Sequence, residues 1–419
     1  MANNSSTAVT QDSKGFLADN ILVRFFREVL GPAALIAAGM IGAGAVATRL
    51  LAGAWFGFDL LWVALYVIPM VIICNDSASR IGNITGRGMM SMIKTEMHPA
   101  LAWFIFIPTF ILNIGVNISQ MSVMMESAFG MFNLQVPAGG AASGVGYGVT
   151  IFLTVLTLLV VLFGGFKRVV KTMTWMLLVI LVCFIIVALK GLSQFETWLG
   201  LLGGLVPKIP ADLPIASSDG VRSAFTQLMS IAGQALPASV FLSFGYFTSN
   251  ANYTAADLKS SLKKNIINFG IIWGLFSVTV VVAGATALHT FYRGTGAPGD
   301  LHFSQIERVF DAGKVIAPAL PMGIKQIASP IFSIGLFVAG FTTLVSVAML
   351  MTYFTLDILG KNWKYTDENK AYRWVLALWI AVPALLSPFW VLPALIKSIL
   401  TMAGNLVLTP LAVGILIYF

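Results

Sequence analysis

Ten apolar runs, at roughly 31–54, 58–80, 99–126, 147–166, 170–193, 223–247, 264–290, 327–356, 373–388 and 391–419, have the length that a helix uses to cross a hydrocarbon layer of ~30 Å. Inside a bilayer no water satisfies an exposed N–H or C=O, so each run has to close its backbone hydrogen bonds within itself, as a helix. The chain therefore reads as an all-α membrane protein of about ten transmembrane helices. Apolar residues make up 58% of it and charged ones 10%, which excludes a soluble multidomain protein. The turn from Ala52 to Phe58 is short enough to make segments 1 and 2 antiparallel neighbours, whereas the connections 194–222 and 291–326 are longer.

A net charge of +8 could suggest a nucleic-acid partner, but the basic residues follow topology. With the N-terminus inside, Arg24, Arg27, Arg80, Arg87, Lys94, Lys167, Arg168, Lys171, Lys263, Lys264, Lys361, Lys364 and Lys370 all fall on one side. By the excess of Lys and Arg on cytoplasmic loops, that side is the cytoplasm, and an even number of helices places both termini there. The expected location is the plasma (inner) membrane of a multi-pass protein, with the lipid bilayer as surroundings, no nucleic acid and no obligate protein partner. Residues 1–30 read as a cytoplasmic tail, because Met1 to Lys14 is polar and lacks the apolar core of a cleavable signal. Cys74 and Cys183 lie inside apolar segments and serve as packing residues.

Segment 1 contains Met40-Ile41-Gly42-Ala43-Gly44-Ala45-Val46-Ala47-Thr48-Arg49. Two glycines inside a helix cost about 1 kcal/mol each relative to alanine. Either the helix unwinds here, freeing backbone groups that must line a polar cavity or hold a ligand, or the glycines let a neighbouring helix pack closely. A second breaker, Gly233-Gln234-Ala235-Leu236-Pro237-Ala238-Ser239, interrupts segment 6. Interruptions at corresponding places in two halves point to a transporter binding site.

Gly53-Ala54-Trp55-Phe56-Gly57-Phe58-Asp59-Leu60-Leu61-Trp62-Val63, then Ser79-Arg80-Ile81-Gly82 followed by Thr85-Gly86, resemble the first two helices of the Nramp divalent-metal transporters. The match continues through Gly165-Phe166-Lys167-Arg168, Gly204-Leu205-Val206-Pro207 and Ala283-Gly284-Ala285-Thr286-Ala287-Leu288-His289. The resemblance covers most of the chain, in order, and implies a LeuT-type fold in which helices 1–5 and 6–10 form a 5+5 inverted repeat with helices 1 and 6 broken. On that scaffold 31–193 and 223–419 are the two repeats and 194–222 is an extracellular connector. The chain stops after segment 10, where many relatives of this kind carry a further helix.

The resemblance fails at the family's metal site. The helix 1 signature Asp-Pro-Gly-Asn reads Gly42, Ala43, Gly44 and Ala45 here, and the helix 6 signature Met-Pro-His-Asn reads Leu236, Pro237, Ala238 and Ser239. The acids that the family carries on helix 3 align with Phe110, Asn117 and Gln120. A divalent cation at mid-membrane needs negative ligands to offset its lost hydration, and these positions supply none. Freed N–H groups at the start of a second half-helix favour negative charge instead. Ile41-Gly42-Ala43-Gly44 resembles the helix 1 break of LeuT-type transporters, whose freed amides bind a substrate carboxylate, and this resemblance implies Ala43 and Gly44 as the donors. Arg49 stands where the family pattern has an acid; it either attracts an anion or snorkels toward the outer interface or an outer-loop acid. Gln120, Asn117, Gln234 and Asn405 either face one cavity or hydrogen-bond between helices. His98, His289 and His302 make no convincing metal set.

Ala339-Gly340-Phe341-Thr342-Thr343 on segment 8 resembles the arrangement with which sodium-coupled LeuT-type transporters hold the ion, together with two segment 1 carbonyls, here Ala38 and Ile41. Hydroxyls and carbonyls suit a small monovalent cation, although neighbouring threonines also bond back to their own helix. The expectation is a secondary transporter that has lost the transition-metal site and moves a small anion, bicarbonate or a short carboxylate. Its substrate residues would be Gly42, Ala43, Gly44, Ala45, Gly233, Gln234, Leu236, Ala238, Ser239, Gln120, Asn117 and Arg49. Sodium would be the coupling ion, at Ala38, Ile41, Ala339, Thr342 and Thr343, and no other cofactor is expected. The alternative is a magnesium or manganese transporter that binds a largely hydrated ion; a third reading is a scaffold that has kept the fold and lost transport. An enzyme is not expected, because no nucleophile with a base and no phosphate loop appears in the membrane core.

Overall fold

A computed structural model describes Val29, 31–214, 221–289, 328–366, 368–389 and 407–419. Segment 1 is two helices, α1 (Pro32–Gly39) and α2 (Ala43–Phe56), bent by 58° at Met40 to Gly42. Then come α3 (Leu61–Thr85), α4 (Pro99–Met131) and α5 (Gly144–Leu192). The last is two spans meeting at Gly165, whose φ of 63° and ψ of 163° no helix contains, and so it holds both expected segments 4 and 5. Segment 6 is α7 (Ala224–Ala235) and α8 (Ala238–Asn250); segments 7, 8 and 9 are α9 (Ala255–Thr286), α10 (Ala328–Ile358) and α11 (Lys370–Leu386). Segment 10 is described only from α12 (Val407–Tyr418) onward. The connector 194–222 is more regular than a loop, with the short helix α6 (Phe195–Gly203) and a two-stranded pairing of β1 (Leu213–Pro214) with β2 (Val221–Arg222).

Two packed groups result. The segment 1 half α2 lies on α9 and α7, and α3 lies on α8; in the other group α10 packs along α4, α5 and α11, while α1 bridges to α10. The span Ser329–Ile358 is 89% buried, so α10 is the central helix and faces protein on nearly every side. Small residues allow backbone contact where helices of the first group cross. A Cβ on Gly82 would stand 2.5 Å from Gly245 Cα, and one on Gly284 would meet the Leu50 carbonyl. His289 anchors the same crossing by placing Nδ1 3.0 Å from the Ala54 carbonyl, so its role here is structural. His98 caps α4, its Nδ1 accepting from the Ala100 N–H.

At the basic end the groups are sealed together. Asp357, 5% exposed, accepts from the Tyr246 hydroxyl (2.5 Å) and the Ser91 N–H (2.8 Å), and Gly88 lies so close that a Cβ there would meet its carboxylate. Tyr246 in turn accepts from the Met90 N–H (2.8 Å) and packs edge-on against Trp363. Tyr365 donates its N–H to Asn250 and its hydroxyl to the Val161 carbonyl. The short helical stretch 86–98, α8, α10 and the stretch after α10 therefore meet in one buried polar and aromatic knot.

Candidate functional site at the paired breaks

The first break is built from Gly42, extended at φ −80° and ψ 168°, a conformation open to any residue. Space requires the glycine. A Cβ at Gly42 would stand 2.9 Å from Thr343 Oγ1 and 3.3 Å from Gln120 Nε2. The unwound turn leaves the first N–H groups of α2 without intrahelical acceptors. Gln120 on α4, 5% exposed, takes one: its Oε1 accepts from Ala43 at 3.2 Å. The next two, on Gly44 and Ala45, donate to no acceptor among the described residues, and the helical ladder resumes with Val46 donating to Gly42. Gly44 is exposed, with the amide end of Gln234 within van der Waals reach of its Cβ position.

The second break is a single kink at Leu236 and Pro237, since proline has no N–H to continue the ladder. Gly233, Gln234, Ala238 and Ser239 keep helical positions on either side of it, half-buried except for Ala238, which is buried. Thr409 on α12 donates to the Leu236 carbonyl at 2.6 Å, tying segment 10 to the break. The two breaks are joined through Thr48. Its hydroxyl donates to the Gly44 carbonyl (2.8 Å) and accepts from Gln234 Nε2 (2.6 Å), and its carbonyl accepts from Gln227 Nε2 (2.6 Å). Gln234 Oε1 is buried and has no partner.

Other expected residues sit elsewhere. Arg49, fully buried, neither snorkels nor reaches an outer-loop acid among the described residues. It lies one turn beyond the break and turns sideways onto α9, with Nε on Ser277 (3.1 Å), Nη1 on the Ala45 carbonyl (3.1 Å), the Trp273 ring 5.0 Å away and Nη2 unpaired. Asn117 donates to the Trp379 carbonyl at 3.1 Å, and Phe110 packs on the same tryptophan ring. These two face α11, while Gln120 alone of the three reaches the break. Asn405 and His302 lie outside the described residues.

At the α1 end, Thr342 Oγ1 lies 3.0 Å from the Ala38 carbonyl, 3.1 Å from that of Ala339 and 2.9 Å from that of Val338. Thr343 donates to the Gly39 carbonyl at 2.7 Å and Ser346 to that of Leu35. Ala38, Ala339 and Thr342 thus converge, with Thr343 one carbonyl further along. The Ile41 carbonyl makes no hydrogen bond with this cluster, although the Ile41 N–H donates to Ala38. Thr48, Gln227, Ser346 and Thr409 were not anticipated; only Gln227, seven residues before Gln234 and so on the same face, carried a usable spacing. Among the described residues no group of three or more His, Cys, Asp or Glu is placed to hold a metal.

The family model described as "Natural resistance-associated macrophage protein-like", Nramp, matches residues 33–419. The chain belongs to the Nramp family. It is 25% identical over 345 residues to the divalent metal cation transporter MntH of Listeria welshimeri, covering 80% of this chain and 68% of that one. The corresponding protein of Brucella suis is 24% identical over 352 residues, covering 81% and 70%. Among solved structures a mutant of the Eremococcus coleocola manganese transporter superposes with a TM-score of 0.51 at 13% identity, over 96% of this chain and 95% of that one. A Na⁺-coupled sialic acid symporter in a substrate-bound outward-open state gives 0.57 at 14% identity, over 92% and 79%. The Nramp chain accordingly has the LeuT-type architecture with segments 1 and 6 broken, and it is a multi-pass membrane transporter, not an enzyme.

Proposed function

We propose that this Nramp member moves a small anion, bicarbonate or a short carboxylate, by alternating access at the paired breaks. The observation that carries this is the character of the donors: among the described residues the Gly44 and Ala45 N–H groups and Gln120 Nε2 have no hydrogen-bond acceptor, and no carboxylate is hydrogen-bonded to either break. Unpaired donors at the start of a helix carry the positive end of its dipole, and an anion supplies what they lack. Arg49, one turn away and without a salt bridge among the described residues, adds a fixed positive charge in a medium that screens it poorly. The bundle of segments 1, 2, 6 and 7 would rock against segments 3, 4, 8 and 9, exposing the breaks to each side in turn.

Sodium is the proposed coupling ion, held where Thr342 bridges α10 to the Ala38 carbonyl at the end of α1. Binding there would replace the direct hydroxyl–carbonyl contacts by shared coordination and so tie the pose of α1 to the ion. Uptake that ignores replacement of sodium by potassium, or the pair Thr342→Ala and Thr343→Ala, would remove the ion from the mechanism. The relatives named as divalent metal cation transporters favour a second reading, a largely hydrated magnesium or manganese ion held through carbonyls and amides. Proteoliposome uptake decides: labelled anion entering with no manganese flux supports the first, and manganese flux with silent anions supports the second. The proposed setting is the plasma membrane with the basic end in the cytoplasm.

A further inference from the structure

We infer that the site selects an anion that carries its own hydroxyl donor, such as hydrogencarbonate or a 2-hydroxycarboxylate, and that Gln234 is the residue that reads it; this rests on the anion reading above. The hydrogen-bond network fixes how the two glutamine amides are turned, because each nitrogen only donates and each oxygen only accepts. The Ala43 N–H needs an acceptor, so Gln120 presents Oε1 to it, leaving Nε2 as a free donor toward Gly42. Thr48 spends its single hydroxyl proton on the Gly44 carbonyl, so the Gln234 atom 2.6 Å from that hydroxyl must be the donor Nε2. Gln234 Oε1 is therefore left as a buried acceptor with no partner. A Cβ on Gly44 would stand 3.8 Å from that oxygen and 3.7 Å from Nε2, so the amide end of Gln234 lies next to Gly44 at the first break.

A ligand lying along Gly42 to Ala45 meets three donors and one acceptor. A halide, nitrate, formate or acetate satisfies the donors and leaves Gln234 Oε1 unpaired against its own lone pairs. An anion with an O–H satisfies all four. Sites built to hydrogen-bond a hydroxyl discriminate strongly against analogues lacking it, since the site's buried group is then stranded.

The test uses the full chain in proteoliposomes, with labelled glycolate and labelled acetate as matched probes and with hydrogencarbonate and nitrate as competitors. The expected result is uptake of glycolate at least about tenfold more efficient than that of acetate, with hydrogencarbonate competing more strongly than nitrate. Gln234→Met, which keeps the side chain's length and removes its acceptor, should bring the ratio to within about twofold while acetate uptake persists. Gln227→Met also loosens Thr48, from its carbonyl side, and should keep the preference; it separates lost recognition from a loosened α2. Equal handling of glycolate and acetate by the native protein, or a preference that survives Gln234→Met, overturns the inference and leaves the anion reading standing. No uptake of either anion, with manganese flux present, overturns the anion reading itself.

Discussion

At the residue scale the first break depends on the absence of a side chain at Gly42. Replacing it with leucine drives atoms into Thr343 and Gln120, an overpacking that costs about 1–3 kcal/mol where nothing can give. Gly42→Leu should therefore abolish uptake while the protein still elutes as a folded species in size-exclusion chromatography; normal uptake would mean that the break is only a packing notch. Arg49 invites a complementary substitution. A buried charge replaced by an apolar side chain of similar volume is often neutral or stabilising, so Arg49→Met should leave thermal stability equal or higher. If its charge serves the anion, the KM for uptake rises several-fold, and an unchanged KM would make the guanidinium a packing element. The break, Gln120 and Gln234 were legible in the sequence because glycine, proline and an amide in an apolar run each carry a recognisable cost. The direction in which Arg49 points was not, because Ser277 and Trp273 lie more than 220 positions away and nothing local announces them.

At the scale of elements, two features bind separate helices. Gln227 and Gln234, two turns apart on α7, hold Thr48 of α2 from its carbonyl and its hydroxyl. Thr48→Val keeps the shape and removes the hydroxyl, stranding the Gln234 amide and freeing the Gly44 carbonyl. Such losses cost about 1–3 kcal/mol for a buried group, and the expected outcome is a lower melting temperature together with impaired uptake. The knot at the basic end makes a second prediction. Tyr246→Phe takes a donor from Asp357 and the acceptor from the Met90 N–H. Hydrogen exchange at 88–91 should quicken by about tenfold or more, the equivalent of ~1.4 kcal/mol; unchanged protection would show that Gly88 packing and Trp363 hold the seal alone. This knot joins positions 88–91, 246, 357 and 363, whose only sequence trace is an acid and a tyrosine near the ends of apolar runs. Periodicity announces helices and breaks, but not which helix ends meet.

At the scale of the whole molecule, most of the architecture was readable. Ten apolar runs, two interrupted at matching places, and an ordered set of Nramp-like motifs lead to the fold that the family match and the superpositions support. What the sequence blurred were boundaries set by geometry: Gly165 turns one continuous helical run into two spans, and the connector after α5 folds into α6 and a small strand pair. Glycine contacts at Gly82 with Gly245 and at Gly284 with Leu50 hold the first group of helices together as a unit. Gly82→Val should therefore destabilise the protein and slow transport together, whereas a change confined to one property would mean that the crossing is not part of the moving body.

On the proposed reading, a scaffold whose relatives are named divalent metal cation transporters presents at its breaks, among the described residues, donors without carboxylate partners and carries negative cargo. The most direct test is uptake into proteoliposomes of labelled hydrogencarbonate and short hydroxycarboxylates, with and without an inward sodium gradient, beside a manganese assay in the same vesicles. Sodium-stimulated anion uptake with no manganese entry is the expected result. Manganese entry with no anion uptake would contradict it, and would mean that carbonyls, amides and retained water suffice to hold a divalent ion where the aspartate of the family signature is absent.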